Sequence, residues 1–307
     1  MSDPHDRTDG KGASKAAEFW NERQLDLRAD AEGNFLNHSL VQAYMALRAF
    51  GQIVGQLDVV VAELRSRTRP GDRVVSVGCG SATKEIAIAR QLPDRRFLGL
   101  DIAHETVARM REQIAAQGPS NLELQIGDFN DLQLERGAFR ALLGLGAIHH
   151  VQKLESFWSG VAHGLTADGC VLAQEYVGPN RFQWTDAQIA AGSAALKELV
   201  PLQHQTHHRH VERIPEALLI AADPSEAVRS AELLPTLRDA GFRIEGLAGA
   251  GCALLQPVLM EQIATFDPRN WQHNLVLARL FEREDALMKQ GVLGDDFVAF
   301  VARPPGA

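Results

Sequence analysis

The sequence is poor in cysteine. Only Cys79, Cys170 and Cys252 occur in 307 residues, and no two of them stand at Cys-x-x-Cys spacing. A disulfide framework and a structural zinc site are therefore not expected. Positive charge is not in surplus either: 31 Lys and Arg stand against 39 Asp and Glu, a net charge of −8. No general basic field exists for a phosphodiester backbone, so no nucleic-acid partner is expected. No apolar run approaches the roughly 18 residues that a membrane span needs. Met1–Lys15 lacks the apolar core of a secretory signal. The expected location is the cytoplasm. Internal repeats and low-complexity tracts are also absent. Hydrophobic residues make up 45% of the chain, enough for a large buried core.

The order of patterns divides the chain. Residues 1–15 are rich in Asp, Gly, Ser and Lys and read as a flexible tail. Residues 16–68 form an N-terminal helical cap, with apolar residues such as Leu40, Val41, Tyr44, Leu47 and Phe50 at three- and four-residue spacing. Residues 69–180 alternate strands and helices. The expected strands are Arg73–Val77, Arg96–Asp101, Leu122–Gly127, Ala141–Leu145 and Cys170–Tyr176. The expected helices are Thr83–Gln91, Glu105–Gln117, Asp131–Gly137 and Gln152–Leu165. Such alternation predicts an α/β fold with a doubly wound, mostly parallel, Rossmann-like sheet. Residues 181–240 read as a helical addition on the substrate side, including a helix over Ser225–Ala240. Residues 241–307 supply two last strands, Phe242–Leu247 and Asp296–Ala302, around a helical insertion, Leu254–Lys289. Seven strands result, with an antiparallel edge.

The chemistry concentrates where the first strand ends, at Val74-Val-Ser-Val-Gly-Cys-Gly-Ser-Ala82. A buried strand running into Gly78-x-Gly80 and then a helix brings backbone against a ligand at the strand's carboxyl end. About twenty residues on, Phe97-Leu-Gly-Leu-Asp101 ends a second strand in an acid suited to ribose hydroxyls. Two nucleotide readings follow, a dinucleotide or S-adenosylmethionine. The dinucleotide fingerprint wants a third glycine where Thr83 stands, so a pyrophosphate is poorly served.

From these residues the chain resembles the class I S-adenosylmethionine-dependent methyltransferases of the small-molecule group. Val77-Gly-Cys-Gly80 is similar to the family's first motif, and Asp101 to its ribose acid. In Gly127-Asp-Phe129, Asp128 and Phe129 resemble the adenine motif. Leu145-Gly-Ala-Ile-His-His-Val151 resembles the fourth motif, and Leu165-Thr-Ala-Asp-Gly169 the turn before the fifth strand. The resemblance implies S-adenosyl-L-methionine as cofactor, held by Ser76, Gly78, Cys79, Gly80, Ala82, Glu85, Asp101, Ile102, Asp128, Phe129 and Gly146. Two positions depart from the pattern. Ser76 stands where an acid is common, and Ala82 where a third glycine is common. Glu85, one helical turn on, is the candidate replacement for the acid.

His149 and His150, past the fourth strand, and Glu175, at the end of the fifth, are the candidate catalytic groups, because an imidazole or carboxylate there could take a proton from the acceptor. Tyr176, Arg181 and Trp184 follow at the same sheet edge and are candidate substrate-binding residues. This stretch, with Ser225–Ser230, resembles a bacterial methyltransferase subgroup of glycan and secondary-metabolite pathways. Trp20, Asn21 and Arg23 are candidates for a lid. The cluster His204, His207, His208 and His210 reads as a solvated loop, although His204 and His208 would share one face of a helix; no metal is expected. The expected function is methyl transfer to an oxygen, or less readily a nitrogen, of a small polar acceptor, sugar-containing or a secondary metabolite. The alternatives are a non-methylating S-adenosylmethionine-binding protein, as a sensor or partner subunit, and an NAD-type oxidoreductase. A homodimer is compatible with the sequence.

Overall fold

In the computed structural model, which describes residues 19–20, 34–205 and 210–306, two helices, α1 (Ser39–Phe50) and α2 (Gln56–Arg67), precede the sheet. The β-branched run Arg73–Val77 forms β1, and its burial leaves no polar face to water. Then follow α3 (Thr83–Gln91), β2 (Arg96–Asp101), α4 (His104–Gln117), β3 (Leu122–Ile126), β4 (Phe139–Leu145), α5 (Leu154–Gly164) and β5 (Leu165–Tyr176). The chain continues through α6 (Asp186–Leu199), α7 (Glu216–Ala222), α8 (Leu233–Asp239), β6 (Arg243–Cys252), α9 (Leu255–Leu259), α10 (Trp271–Lys289) and β7 (Asp295–Arg303).

The seven strands lie in the order β3-β2-β1-β4-β5-β7-β6. β1 to β5 run parallel, and β7 pairs antiparallel with both β5 and β6. Side-chain alternation separates two cores on this sheet. Val75, Val77 and Leu142 face Phe157 and Trp158 of α5. Val74 and Leu143 face Leu64 of α2 and Ile88 of α3. A third core joins α1, α6, α9 and α10 beside the sheet. The strand order reverses between β1 and β4, so the carboxyl ends of β1, β4 and β5 open onto one crevice.

Three expected helices differ. Asp131–Gly137 holds only the end of a short 3₁₀ turn, Phe129–Asp131, and then runs as irregular chain. The reason lies in α5: a Cβ on Gly160 would stand 2.7 Å from the Leu132 carbonyl, and one on Gly164 2.5 Å from Leu134 Cβ. The segment packs as unwound chain against these two glycines. The helix expected over Ser225–Ala240 shrinks to Leu233–Asp239, because residues 224–229 form a turn with Ala227 at φ 47°. The insertion Leu254–Lys289 divides into α9 and α10 with a non-helical stretch around Asp267-Pro268. β5 also starts earlier, at Leu165, and takes in Asp168-Gly169 across a shift in register against β4. The 1–15 tail and residues Asn21, Arg23, His207, His208 and Arg209 lie outside the described residues.

Candidate active site

The glycine loop is built around Leu100 and Asp101. Gly78 and Cys79 donate their amides to the Leu100 carbonyl at 2.8 and 3.1 Å. Gly78 adopts φ 66°, and a Cβ there would meet Ala147 Cβ at 2.4 Å and Phe129 Cζ at 3.4 Å. A side chain is excluded at this point, and the β1 and β4 loops touch. Gly80 and Ala82 are also left-handed, at φ 49° and 51°. Ala82 is the residue at the family's third glycine, and it adopts the conformation that a glycine would favour there.

Asp101 is 6% exposed. Its carboxylate accepts the Gly80 amide at 2.7 Å and the Ala103 amide at 2.9 Å. Burial outweighs these amide bonds and leaves the carboxyl above its ordinary range. Ile102 follows it, half-buried. Asp128 accepts from the backbone and side chain of Asn130 at 2.8 and 3.1 Å, and so shapes the turn that carries Phe129 toward Gly78. Ser76 and Glu85 form one buried unit: Ser76 Oγ donates to Glu85 Oε1 at 2.7 Å, and burial raises the Glu85 carboxyl. The missing acid of β1 thus reappears from α3 against the same strand end. Cys79 is buried, and desolvation pushes its thiol up. Gly146, at φ 77°, closes the crevice, where Lys84 Nζ donates to the Leu145 carbonyl at 2.6 Å.

Beyond Gly146 lies a cavity of about 780 Å³. Its walls are mixed: Phe35, Met45, Phe50, Tyr176, Phe182 and Phe297 supply apolar surface, and Asn34, Asn37, Gln42, Gln56, Gln174 and Gln256 supply carboxamides. His149, His150, Glu175 and Glu226 meet it on one side. Glu175 is 2% exposed and holds the 146–149 turn together. It accepts the amides of Ala147 and Ile148 at 2.9 Å each and that of His149 at 3.4 Å. It also lies 2.8 Å from His149 Nδ1, while His149 Nε2 lies 3.4 Å from Glu226 Oε1. Burial works against a charged ring, but the hydrogen bonds to Glu175 and Glu226 prevail and raise His149 to about 10. Burial also opposes a charged Glu175, and the bond to His149, its positive charge and the amides hold the carboxyl below its ordinary range. His149 and Glu175 are therefore an imidazolium–carboxylate pair. His150 behaves oppositely: burial and the adjacent His149 charge lower it.

Of the expected substrate residues, only Tyr176 lines the cavity. Its hydroxyl donates to the Pro179 carbonyl at 3.1 Å. Trp184 is 3% exposed and packs in the core beside α6 and α9, where its bulk anchors the chain entering α6. The Arg181 guanidinium donates to the carbonyls of Asp223, Pro224 and Glu226 at 3.4, 2.8 and 3.0 Å, so it pins a turn. Glu175 is occupied with backbone amides and His149 and offers no free oxygen edge to an acceptor. His204 is buried, bonded to Thr265 Oγ1 at 3.0 Å and stacked on Phe266. Trp20 stands edge-on to His150 with ring centroids 5.2 Å apart.

Sequence reasoning missed Lys84, Asp223 and Glu226. His149, His150 and Glu226 bring metal-ligating atoms within 4.8 Å of one another, where no such cluster was expected. Glu226 reaches His149 from an irregular turn, which has no periodicity to reveal it. Among the described residues, no helix is long and apolar enough to cross a membrane.

Residues 74–169 match a family model described as a methyltransferase domain. Polyketide synthase ThaQ of Burkholderia thailandensis is 24% identical over 176 residues, which is 56% of this chain and 8% of that protein. The chain thus spans a small part of the curated relative that it matches. A geranyl diphosphate methyltransferase solved with S-adenosylmethionine superposes with a TM-score of 0.54 at 11% identity, covering 90% of this chain and 95% of that one. Geranyl diphosphate C-methyltransferase from Streptomyces coelicolor gives 0.52 at 13%, covering 94% and 97%. Phosphoethanolamine N-methyltransferase 2 of Haemonchus contortus gives 0.52 at 13%, covering 90% and 59%. At these identities the likeness is one of fold.

Proposed function

We propose that this chain, which belongs to the class I S-adenosylmethionine-dependent methyltransferases by its matched core and its seven-stranded sheet, methylates an acceptor carbon that loses a proton to His149. The carrying observation is the 2.8 Å contact between His149 Nδ1 and a fully buried Glu175 at the wall of the cavity. S-adenosylmethionine supplies an activated methyl group. The chain's own residues bind it, orient the acceptor and move a proton. Asp101 would bind the ribose, Asp128 and Phe129 the adenine. Gly78, bare of a side chain, leaves the backbone accessible along the cofactor. The Ser76–Glu85 unit stands at the amino-acid end.

A C–H next to a carbonyl is a weak acid, so removing its proton needs a strong base, one whose conjugate acid is weak. Glu175, on Nδ1, stabilises the imidazolium that forms when Nε2 takes the proton, which is stabilisation of the charge that develops. In the resting protein Glu226 faces Nε2, and its side chain keeps 28% of its exposure. An acceptor entering the cavity competes with Glu226 for that nitrogen. Displacing Glu226 lowers the ring's affinity for its proton; Glu226 departs as a neutral carboxyl carrying the Nε2 proton, which leaves Nε2 bare as the base. The ring-lined part of the wall, with Phe35, Phe50, Phe182 and Phe297, supports an acyl or prenyl body in the acceptor. The relation to a polyketide synthase supports a 3-oxoacyl thioester.

An oxygen acceptor is the second reading. Gln256 Oε1 is buried in the cavity wall with no hydrogen-bond partner and could accept from an acceptor hydroxyl. Trideuteromethyl S-adenosylmethionine with a 3-oxoacyl thioester separates the two. The proposal expects S-adenosylhomocysteine and a CD3 group on the carbon between the carbonyls. A CD3 group on the enol oxygen would refute the carbon reading and leave the oxygen one.

A further inference from the structure

Ser225 Oγ sits at the centre of a hydrogen-bond chain beside the cavity. It lies 2.9 Å from Asp223 Oδ1, 3.2 Å from Trp20 Nε1 and 3.2 Å from His150 Nδ1. A hydroxyl has one proton to give and two lone pairs. A carboxylate only accepts, so the hydroxyl proton points to Asp223. An indole N–H only donates, so Trp20 takes one lone pair. The other lone pair faces His150 Nδ1, which therefore carries a proton. Burial and the positive His149 ring, with centroids 4.3 Å apart, keep His150 neutral. A neutral imidazole protonated at Nδ1 is bare at Nε2.

The chain is held from behind. Asp223 is 4% exposed, and its Oδ1 also accepts the Ser225 and Glu226 amides at 2.8 and 3.1 Å. Arg181 fixes the same turn through three of its carbonyls.

We propose that Asp223 and Ser225 are positioning residues that hold His150, whose ring lines the cavity, with its proton on Nδ1, so that its bare Nε2 is a hydrogen-bond acceptor and selects acceptors carrying an O–H or N–H group. The tautomer stands independently of the methyl-transfer reading, and the substrate preference rests on it. The division of labour is chemical. His149 exchanges a proton with the reacting carbon, and His150 accepts a hydrogen bond from a group that keeps its proton.

Two readouts test this. Ring-nitrogen NMR of the full ¹⁵N-labelled chain, without cofactor or acceptor, should show His150 with a protonated Nδ1 and a bare Nε2. Ser225→Ala should lose that pattern, and Ser225→Thr, which keeps the hydroxyl, should retain it. A protonated Nε2 in the unaltered chain, or an unchanged pattern in Ser225→Ala, would overturn the assignment. Equimolar Zn²⁺ should leave the His150 pattern as it was; a shift of His149 and His150 nitrogens together would make the cluster a metal site and overturn it as well. The second readout is turnover of 3-oxoacyl thioesters with and without a hydroxyl on the acyl chain. The unaltered chain should favour the hydroxylated acceptor by about tenfold in KM, the worth of one neutral hydrogen bond. Ser225→Ala should erase the preference and leave kcat within about twofold. A preference that persists in Ser225→Ala would overturn the substrate assignment. Absence of all turnover, with the NMR pattern intact, would refute the methyl-transfer reading and not the tautomer.

Discussion

Replacing Glu175 with Gln removes a charge and little volume, and the expected cost is large. Glu175 receives three backbone amides and the His149 ring, all in a buried setting. Glutamine keeps one oxygen but turns an NH₂ group toward a donor, so at least one buried N–H loses its acceptor. His149 also loses the closer of its two carboxylates. That ring is raised from 6.5 to about 10, and at about 1.4 kcal/mol for each unit the carboxylates, net of burial, contribute about 5 kcal/mol below the unfolded pKa. Counting the pair once, removal of Glu175 should destabilise the fold by about 3–5 kcal/mol, the range for breaking a buried ion pair. The pH dependence has a definite sign. A ring whose folded pKa lies above its unfolded value stabilises fully below the unfolded pKa and loses that contribution as pH rises through the folded one. The gap between the two proteins should therefore be widest between about pH 4.5 and about pH 6.5, narrow above about pH 10, and narrow again in acid as Glu175 is protonated. Urea unfolding at about pH 6 and about pH 10.5 measures both ends. A loss under about 1 kcal/mol at the lower pH, or a gap that widens with pH, would refute the reasoning.

Two other positions give independent expectations. Asp101→Ala should weaken S-adenosylmethionine binding by about 2–4 kcal/mol, because ribose hydroxyls lose a charged acceptor and the Gly80 amide loses its anchor; calorimetric titration measures it, and an unchanged affinity would mean that Asp101 does not reach the ribose. Asp296 is 7% exposed, and burial lifts it to about 7 despite the hydrogen bond from Gln188 at 2.7 Å. A carboxyl raised in the folded state binds extra protons there, so stability falls as pH climbs from its unfolded pKa to about 7. Asp296→Asn should therefore stabilise by about 2–4 kcal/mol at pH 8, with the gain fading toward pH 4 in thermal melts. An equal gain at both pH values would point to packing instead of charge.

The central sheet was legible because its residues state their environment. Val74–Val77 are β-branched or small and continuous, as a strand covered on both faces requires. Arg73–Val77, Thr83–Gln91 and Arg96–Asp101 form with the bounds read from the sequence. Outside the sheet, contacts between distant segments decide the outcome. The glycines of α5 unwind 131–137, and neither stretch alone reveals that. Trp184 and Arg181 belong to residue types that serve ligands and cores equally, and the direction of the side chain is a tertiary property. Glu175 could be placed at the crevice from its strand position. Its occupation by three amides depends on the turn at 146–149. The reach of Glu226 to His149 depends on Arg181 and Asp223 folding a six-residue turn.

As proposed, the crevice has a glycine-loop side that binds S-adenosylmethionine and a histidine side that prepares the acceptor. His149→Asn separates the two directly, with cofactor affinity and S-adenosylhomocysteine formation from a 3-oxoacyl thioester measured on the same protein. The account predicts an affinity within about threefold of the unaltered chain and turnover lowered by at least about 100-fold, the usual worth of a positioned base. Turnover that survives the substitution would contradict it, and so would an affinity that falls together with turnover.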